Sequence, residues 1–484
     1  MCFLAKVFSL KKQHTQRPAQ GQTSSSIKTT QRVFKATLSL GLLLSLNISG
    51  THFASALELT TLPPEETGQL FRVHGSNTLG ARMVPSLLKE YLIAKGLHNV
   101  SIQPQSIENE MRVLGYHQNN TSQMVYIDVA AHGSSTGYRS LDQAQADLAM
   151  SSRPIKDKEV NQLERFGDML SAQAEHVIAI DGLAVIVHPR NPISRLDKPQ
   201  IKAIFSGEIT NWKTLGGQDI PISLYARDNN SGTWDTFKSL VLGKKTPLAA
   251  GTQRFESNDE LSDQVSTNLS GIGFVGLASV RQAKAISVGV AGSTPLAPEH
   301  LYVATEDYPL SRRLFLYQPP KVKSRWVTEF IEFAQSAKGQ AVVETIGFVS
   351  QDPVSIQPED DRQGPQDYLK LTEGAKRLSV NFRFKAGSAE LDNKAKQDIE
   401  RLARYAKESG QEQEILLVGF GDPKQTETRS IVLSKLRAIS VKAALNSEGI
   451  ATAPVSGFGA YLPVAGAHTV ADKLKNQRVE VWLK

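Results

Sequence analysis

The chain has 484 residues, which is enough for about three compact units. Hydrophobic residues make up 40% and charged residues 21% of the sequence, and these proportions exclude a wholly disordered chain. The net charge is +7, and residues 1–56 contain seven Lys or Arg and no Asp or Glu. The rest of the chain is therefore neutral overall, which argues against nucleic acid as a partner.

Residues 1–56 have the pattern of an export signal. Basic residues precede an apolar run over 36–48, and the small-x-small pattern ASA follows at 54–56. The run is too short to span a bilayer, although an uncleaved anchor is the alternative. We predict cleavage before Leu57 and a mature protein beyond the inner membrane. Cys2, the one cysteine, lies in this leader, so we expect no disulfide in the mature chain.

One shift in composition divides the remaining chain. Residues 351–367 contain three prolines, five acidic residues and almost no apolar periodicity. This pattern predicts a linker or a solvated strap. We therefore expect a larger unit over 57–350 and a smaller unit over 368–484.

The larger unit alternates short apolar runs with amphipathic stretches, which predicts an α/β fold with helices on both faces of a sheet. The predicted strands are 70–74, 124–130, a strand pair within 177–188, 222–226, 273–277 and 313–317. The predicted helices are 81–94, 199–205 and 233–242.

Three strand-to-helix turns in this unit share one chemistry. The turns at 75–78, 133–137 and 230–233 are rich in Gly and hydroxyl residues. A helix N-terminus presents unpaired N–H donors, Gly allows close approach, and Ser or Thr adds a hydroxyl. One such turn is usually only a helix cap. Three of them, with Arg227 four residues before Ser231, predict an oxyanion site that has one fixed guanidinium.

A catalytic alternative rests on Ser135, the central residue of a G-x-S-x-G pattern. A serine hydrolase also needs an acid and a histidine. The later histidines of the larger unit, His176, His188 and His300, stand in no recognisable triad context. The histidine spacing does not suit zinc, and no P-loop is present. We predict a protein that is not an enzyme and uses no cofactor or metal, with a periplasmic serine hydrolase as the alternative.

Eight stretches of the larger unit carry a family resemblance. They are HGSNTLGARMVPSLLKEY, ADLAMSSRPIKDKE, IAIDGLAVIVHPRNP, IKAIFSGEITNWKTLGG, ARDNNSGTWDTF, GIGFVGLASV, YPLSRRLFLY and FIEFAQSAKGQAVVETIGFV. In this order they resemble the phosphate-type periplasmic solute-binding proteins of ABC transporters, over nearly all of 69–350. The resemblance implies two α/β lobes (type II-like) joined by a hinge, a buried anion between them and an ABC permease as partner. The matched anion-binding positions are Thr78, Leu79, Ser134, Ser152, Arg227, Ser231, Gly232 and Thr233.

Ser152 departs from the family pattern. The resemblance implies an aspartate here, which accepts a proton from hydrogen phosphate and rejects fully ionised sulfate. A serine can donate a hydrogen bond to either anion as well as accept one. Phosphate remains the favoured anion, but a serine excludes sulfate less firmly than an aspartate does. The segment 102–123 also departs from the pattern, and we interpret it as a family-variable insertion.

The smaller unit is predicted as an α/β sandwich of two helices on one sheet. The strands are 378–384, 415–419 and 479–483, and the helices are 392–409, capped by Asp392, and 428–447, with apolar positions Leu433, Leu436, Val441, Ala444 and Leu445.

The stretches FRFKAGSAELD, VGFGDPKQTETRSIVLSKLRAISVKAAL, GFGAYLPVAG and KNQRVEVWL resemble the OmpA-like peptidoglycan-binding domain. The resemblance implies that Asp422 and Arg437, fifteen residues apart, grip the zwitterionic diaminopimelate of the cell wall. Gln425 and Gln477 depart from the family pattern. The alternative is that Asp422 and Arg437 form a surface charge pair in a domain used for protein contacts.

Together these patterns predict a receptor for an oxyanion, with phosphate favoured, in the periplasm and associated with the cell wall or outer membrane. Such a protein would supply or sense the anion for an ABC-type uptake system. A third hypothesis is a structural wall-linking protein whose larger unit has lost its ligand.

Overall fold

The structure is a computed structural model that describes residues 59–484 except 120–121, 244, 291–292, 294, 323, 359–361, 363, 410–413 and 467–469. The predicted leader and its cleavage position before Leu57 lie outside the described residues. Within the described ranges, no helix has both the length and the apolar character needed to cross a membrane.

The larger unit alternates strands and helices, as predicted. Its strands are β1 (Gly68–Gly75), β2 (His98–Pro104), β3 (Glu110–Tyr116), β4 (Met124–Ala130), β5 (Leu148–Ser151), β6 (Glu175–Val187), β7 (Arg195–Asp197), β8 (Ser223–Arg227), β9 (Gln253–Phe255), β10 (Gly271–Gly276), β11 (Lys284–Ala285), β12 (Ser287–Gly289) and β13 (Ser311–Tyr317). Its helices are α1 (Asn77–Gly80), α2 (Met83–Ala94), α3 (Ser134–Asp142), α4 (Asp157–Leu163), α5 (Lys198–Ser206), α6 (Gly232–Phe237), α7 (Asn258–Thr267), α8 (His300–Ala304), α9 (Arg325–Gln335) and α10 (Ala337–Thr345).

Two strands join two lobes. The sheet order is β2-β3-β4-β1-β5-β13-β6-β10-β8-β9, with β11 also on β6. The first half of β6, up to Gly182, pairs with β13, and the second half, from Leu183, pairs with β10. The chain therefore enters the second lobe along β6 and returns along β13. The two-lobed α/β architecture is confirmed, and β6 and β13 form its hinge.

Several sequence predictions for the larger unit differ in detail from the structure. The stretch 177–188 lies in one long strand rather than a pair, since the strand continues through Asp181 without a turn and changes its neighbour halfway along. Helix 233–242 begins at Gly232 and continues beyond Phe237 as a π-helical turn, Lys238–Leu242. Part of 102–123 lies in the antiparallel pair β2–β3 at the sheet edge beside β4, and its variability in the family stays a prediction.

The smaller unit has one five-stranded sheet in the order β14-β15-β18-β16-β17. Its strands are β14 (Ser355–Ile356), β15 (Lys376–Phe382), β16 (Ile415–Gly419), β17 (Ser456–Gly457) and β18 (Val479–Leu483). Its helices are α11 (Gln366–Leu371), α12 (Asn393–Glu408), α13 (Glu427–Ser447) and α14 (Val470–Asn476). The predicted cap of α12 is confirmed, because Asp392 Oδ1 accepts from the Ala395 N–H at 2.8 Å.

Part of the predicted linker belongs to this smaller sheet. Ser355 and Ile356 pair with β15, and the Val354 N–H donates to Ser379 Oγ at 2.8 Å. In addition, α11 begins inside the segment, at Gln366. A two-residue edge strand is too short to show periodicity. The composition of the segment therefore predicted a linker and gave no sign of the strand.

One predicted core residue of α13 faces solvent. Ala438, Val441 and Leu445 are fully buried at helical spacing, whereas Leu436 is 46% exposed. Leu436 precedes Ala438 by two residues, which is about 200° around a helix and therefore the opposite face.

Candidate functional site

The three predicted turns meet in the cleft between the lobes. A Cβ added at Gly232 would lie 2.1 Å from Ser134 Oγ and 2.4 Å from Ser152 Oγ. A Cβ at Gly133 would lie 2.3 Å from the Asn230 carbonyl oxygen. Only glycine allows these close approaches, so Gly133 and Gly232 let the turns at 133–137 and 230–233 pack directly against each other.

The first turn is joined to the third by a hydrogen bond across the cleft. Thr78 Oγ1 lies 3.0 Å from Thr233 Oγ1, and both residues are buried. Asn258 Nδ2, at the start of α7, donates to Thr78 Oγ1 at 3.2 Å. Polar groups of both lobes therefore face one another at short range.

Ser134 and Ser152 form a second pair in the cleft. Their Oγ atoms are 3.4 Å apart, and the Ser152 N–H donates to Ser134 Oγ at 3.1 Å. Both side chains are fully buried. Leu79 also lies here, in α1, but its side chain belongs to the core of the first lobe. Leu79 can therefore offer only its backbone N–H to a ligand.

Ser231 is the N-cap of α6. Its Oγ accepts from the N–H groups of Thr233 at 3.1 Å and Trp234 at 3.3 Å. This is the usual capping role of serine, and it fixes the turn that carries Gly232 and Thr233.

Arg227 is almost completely buried at the end of β8, with 1% exposure. Its Nε donates to the Phe255 carbonyl at 3.1 Å, and its Nη2 donates to the Glu256 carbonyl. Asp228 Oδ2 lies 3.7 Å from Nη2, while Nη1 is buried with no hydrogen-bond partner among the described residues. Burial lowers the pKa of Arg227 to about 10, so the guanidinium remains charged at neutral pH.

Sequence reasoning missed a second guanidinium, that of Arg312 on β13. Its Nη1 donates to Thr233 Oγ1 at 2.7 Å, and its Nη2 lies 3.5 Å from Thr78 Oγ1. Its Nε and Nη2 donate to Asp181 Oδ2 at 2.8 and 2.6 Å. Burial raises the pKa of Asp181, although the ion pair with Arg312 opposes this effect.

The signal for this pair was a single charged residue inside an apolar run. Asp181 interrupts the buried stretch of β6, and a buried carboxylate needs a partner. Arg312 is the register neighbour of Asp181 on β13. The cleft therefore contains two guanidinium groups, one from the second lobe and one from the hinge.

Ser135, the alternative nucleophile, has a different environment. Its Oγ accepts from Arg153 Nη2 at 3.0 Å, and Arg153 also pairs with Glu159 at 2.6 Å and Asp235 at 2.8 Å. Among the described residues, no histidine hydrogen-bonds to Ser135. The Ser135 hydroxyl is therefore placed against a guanidinium rather than against a histidine base.

In the smaller unit, Gln477 bridges Asp422 and Arg437. Its Nε2 donates to Asp422 Oδ1 at 2.6 Å, and its Oε1 accepts from Arg437 Nη2 at 2.8 Å. Lys424 Nζ donates to Asp422 Oδ2 at 2.5 Å. Burial acts to raise the pKa of Asp422, but the hydrogen bonds from Lys424 and Gln477 outweigh it, so the pKa lies below its usual value. Asp422 and Arg437 are 5% and 7% exposed, so they are not a surface charge pair.

Comparisons with known proteins agree with this architecture. Residues 113–338 match the family model described as a PBP superfamily domain, and residues 383–477 match the OmpA family. The phosphate-binding protein PstS of Borreliella burgdorferi is 30% identical over 243 residues, which cover 49% of this chain and 83% of that protein. PstS of Staphylococcus aureus strain USA300 is 29% identical over 233 residues, which cover 46% and 69%. The crystal structure of an ABC-type phosphate transport receptor from Vibrio cholerae is 26% identical, with 57% and 98% coverage and a TM-score of 0.43.

The fold and the matches define a two-lobed domain of the PBP superfamily followed by an OmpA family domain. Within that class, the chain belongs to the family of PstS phosphate-binding proteins. Both of these relatives are named as phosphate-binding proteins.

Proposed function

We propose that this protein is a phosphate receptor outside the inner membrane, held at the cell wall by its OmpA domain. The observation that carries the proposal is the convergence of three helix-start turns and two buried guanidinium groups in one cleft. Helix N-termini and arginines are the groups that proteins use for phosphate oxygens, and the cleft combines them away from water. The names of its relatives point to the same anion.

Binding would be coupled to closure of the lobes. Thr78 and Ser134 belong to the first lobe, whereas Arg227 and Thr233 belong to the second. An anion that contacts both sets favours the arrangement in which the lobes are close. We propose that the closed form delivers phosphate to an ABC permease, or signals its presence there.

Calorimetric titration of the chain over 57–484 tests the function. Phosphate, sulfate, nitrate and molybdate are each titrated at two pH values, and hydrolysis of a chromogenic ester is measured in parallel. We expect saturable binding of phosphate to one site and no hydrolysis. Hydrolysis that disappears in Ser135→Ala would favour the hydrolase, and a chain that neither binds nor retains any of these anions would favour the wall-linking hypothesis.

Ser152 provides a test of selectivity. We propose that this serine replaces the proton-accepting aspartate, so wild-type protein should bind sulfate measurably. Ser152→Asp should weaken sulfate more than hydrogen phosphate, because sulfate has no proton to offer the new carboxylate. Ser152→Ala is the matched control and should affect the two anions alike. If wild-type protein binds phosphate and ignores sulfate, another acceptor discriminates, and Ser152 does not set selectivity.

Sedimentation with isolated peptidoglycan sacculi tests the wall site. If Asp422 and Arg437 grip diaminopimelate, Asp422→Ala and Arg437→Ala should each reduce binding. Loss of a charge-assisted contact costs about 1.5–3 kcal/mol, which is roughly ten- to more than a hundredfold in affinity.

Lys424 makes this test directional. Lys424 Nζ donates to Asp422 Oδ2 at 2.5 Å. It therefore takes the place that the ammonium of the ligand would need. Lys424→Met should therefore strengthen wall binding, whereas the two substitutions above weaken it. Equal sedimentation of all variants, or none by wild-type protein, would favour a domain for protein contacts.

A further inference from the structure

The OmpA domain binds the segment that leads into hinge strand β13. Asp307 lies on this segment, and its Oδ1 accepts hydrogen bonds from Asn381 Nδ2 at 2.9 Å and from Arg383 Nη2 at 3.4 Å. Arg478 Nε lies 3.6 Å from the same carboxylate. The Thr305 carbonyl also accepts from Asn381 and Arg383, at 2.9 and 2.8 Å. A carboxylate before the hinge is thus surrounded by donors from the smaller unit.

Two further contacts reach β13 itself. Lys475 Nζ, on α14, donates to the carbonyls of Tyr308 at 3.1 Å, Pro309 at 3.0 Å and Ser311 at 3.2 Å, and to Ser311 Oγ at 2.9 Å. Asp392 Oδ2, at the start of α12, accepts from Arg313 Nη1 at 2.7 Å. The OmpA domain therefore holds this strand at its first and third residues.

The residue between these two contacts is Arg312. Successive side chains of a strand point to opposite faces, so Ser311 and Arg313 face the OmpA domain while Arg312 faces the cleft. The contacts agree with this alternation, because Arg312 reaches Thr78 and Thr233. A cavity of about 510 Å³ also lies here, and Arg312, Arg313, Arg383 and Lys475 contribute to its lining.

We infer that Lys475 and Asp392 of the OmpA domain are positioning residues for the anion cleft, because they hold β13 in the register that places Arg312 against Thr78 and Thr233. This inference rests on the proposed function and adds that the wall domain contributes to anion affinity. Linkage makes the effect reciprocal: an anion that fixes Arg312 also favours docking of the OmpA domain on the hinge.

The test uses the chain over 57–484 and phosphate as the probe. Lys475→Met removes the donors to Tyr308, Pro309 and Ser311, and Asp392→Asn removes the ion pair but keeps a residue that can cap α12. Each should weaken phosphate binding about fivefold or more, the usual lower range of coupling between sites. Lys473→Met is the matched control, since Lys473 is exposed on the same helix, and it should leave affinity unchanged.

A double-mutant cycle separates positioning from general destabilisation. In an Arg312→Lys background the side chain keeps its charge but loses the guanidinium fork, so Lys475→Met should have little further effect on affinity. Hydrogen exchange without phosphate provides a second readout. Lys475→Met should raise exchange at the cleft turn over 231–237 as well as at the interface.

The outcomes are distinct. Equal phosphate affinity in wild type and Lys475→Met, or full additivity with Arg312→Lys, overturns the inference. If wild-type protein binds no phosphate, the proposed function fails, and hydrogen exchange then tests the positioning role of Lys475. Unchanged protection over 231–237 in Lys475→Met overturns that role, and faster exchange there supports it.

Discussion

Arg312→Ala is expected to abolish measurable phosphate binding and to lower the free energy of unfolding by about 3–5 kcal/mol. The substitution removes the donors to Thr78 and Thr233 and leaves Asp181 as an unpaired carboxylate in the hinge. Asp181 is fully buried and keeps the hydrogen bond from the Leu277 N–H at 2.9 Å, but it loses the guanidinium that compensates its charge. Denaturant unfolding and calorimetry measure the two effects.

The stability deficit should depend on pH. Burial raises the pKa of Asp181, and removing Arg312 removes the effect that opposes this rise. A carboxyl whose pKa is higher in the folded state than in the unfolded state destabilises the fold as the pH rises and the group ionises. The deficit of Arg312→Ala should therefore be large at neutral pH and shrink as the pH is lowered.

A double variant separates stability from binding. Asp181→Asn combined with Arg312→Met removes both charges and should recover much of the stability but none of the phosphate affinity. If Arg312→Ala binds phosphate as wild-type protein does, Arg312 is a structural residue of the hinge only.

Arg227→Ala should weaken phosphate binding by at least about 1.5–3 kcal/mol, which is ten- to more than a hundredfold. Arg227 Nη1 is buried without a hydrogen-bond partner among the described residues, so it is free to donate to an anion. Arg227→Lys should recover only part of the affinity, because an ammonium keeps the charge and loses the planar fork.

The loss of phosphate affinity in Arg227→Ala can be compared with that of two serine variants and of one arginine control. Ser134→Ala and Ser231→Ala should each cost about 1 kcal/mol, because neighbouring N–H donors remain. Arg190→Ala, at an exposed position of the same lobe, should leave affinity unchanged. An Arg227→Ala variant with undiminished phosphate binding would place the anion elsewhere in the cleft.

The sequence by itself determined the features that depend on neighbouring residues. Strand-to-helix turns have a local chemistry, so 75–78, 133–137 and 230–233 could be found without knowing what they contact. Strands 124–130, 415–419 and 479–483 agree with the structure to the residue, because a polar residue precedes each apolar run and a polar residue or glycine lies within two residues of its end. The eight stretches also occur in the same order as in the family that they resemble, and this resemblance predicted two lobes.

Only the tertiary structure decided which distant residues meet. Asp181 and Arg312 are 131 residues apart, and their pairing follows from the register of β6 with β13, which no local pattern records. Gln477 joins Asp422 to Arg437 because β18 lies beside β16, which ends just before Asp422. The contacts of Lys475 and Asp392 with the hinge depend on how the OmpA domain packs against β13. Such contacts are set by burial and charge pairing between surfaces, whereas sequence patterns report the periodicity within one element.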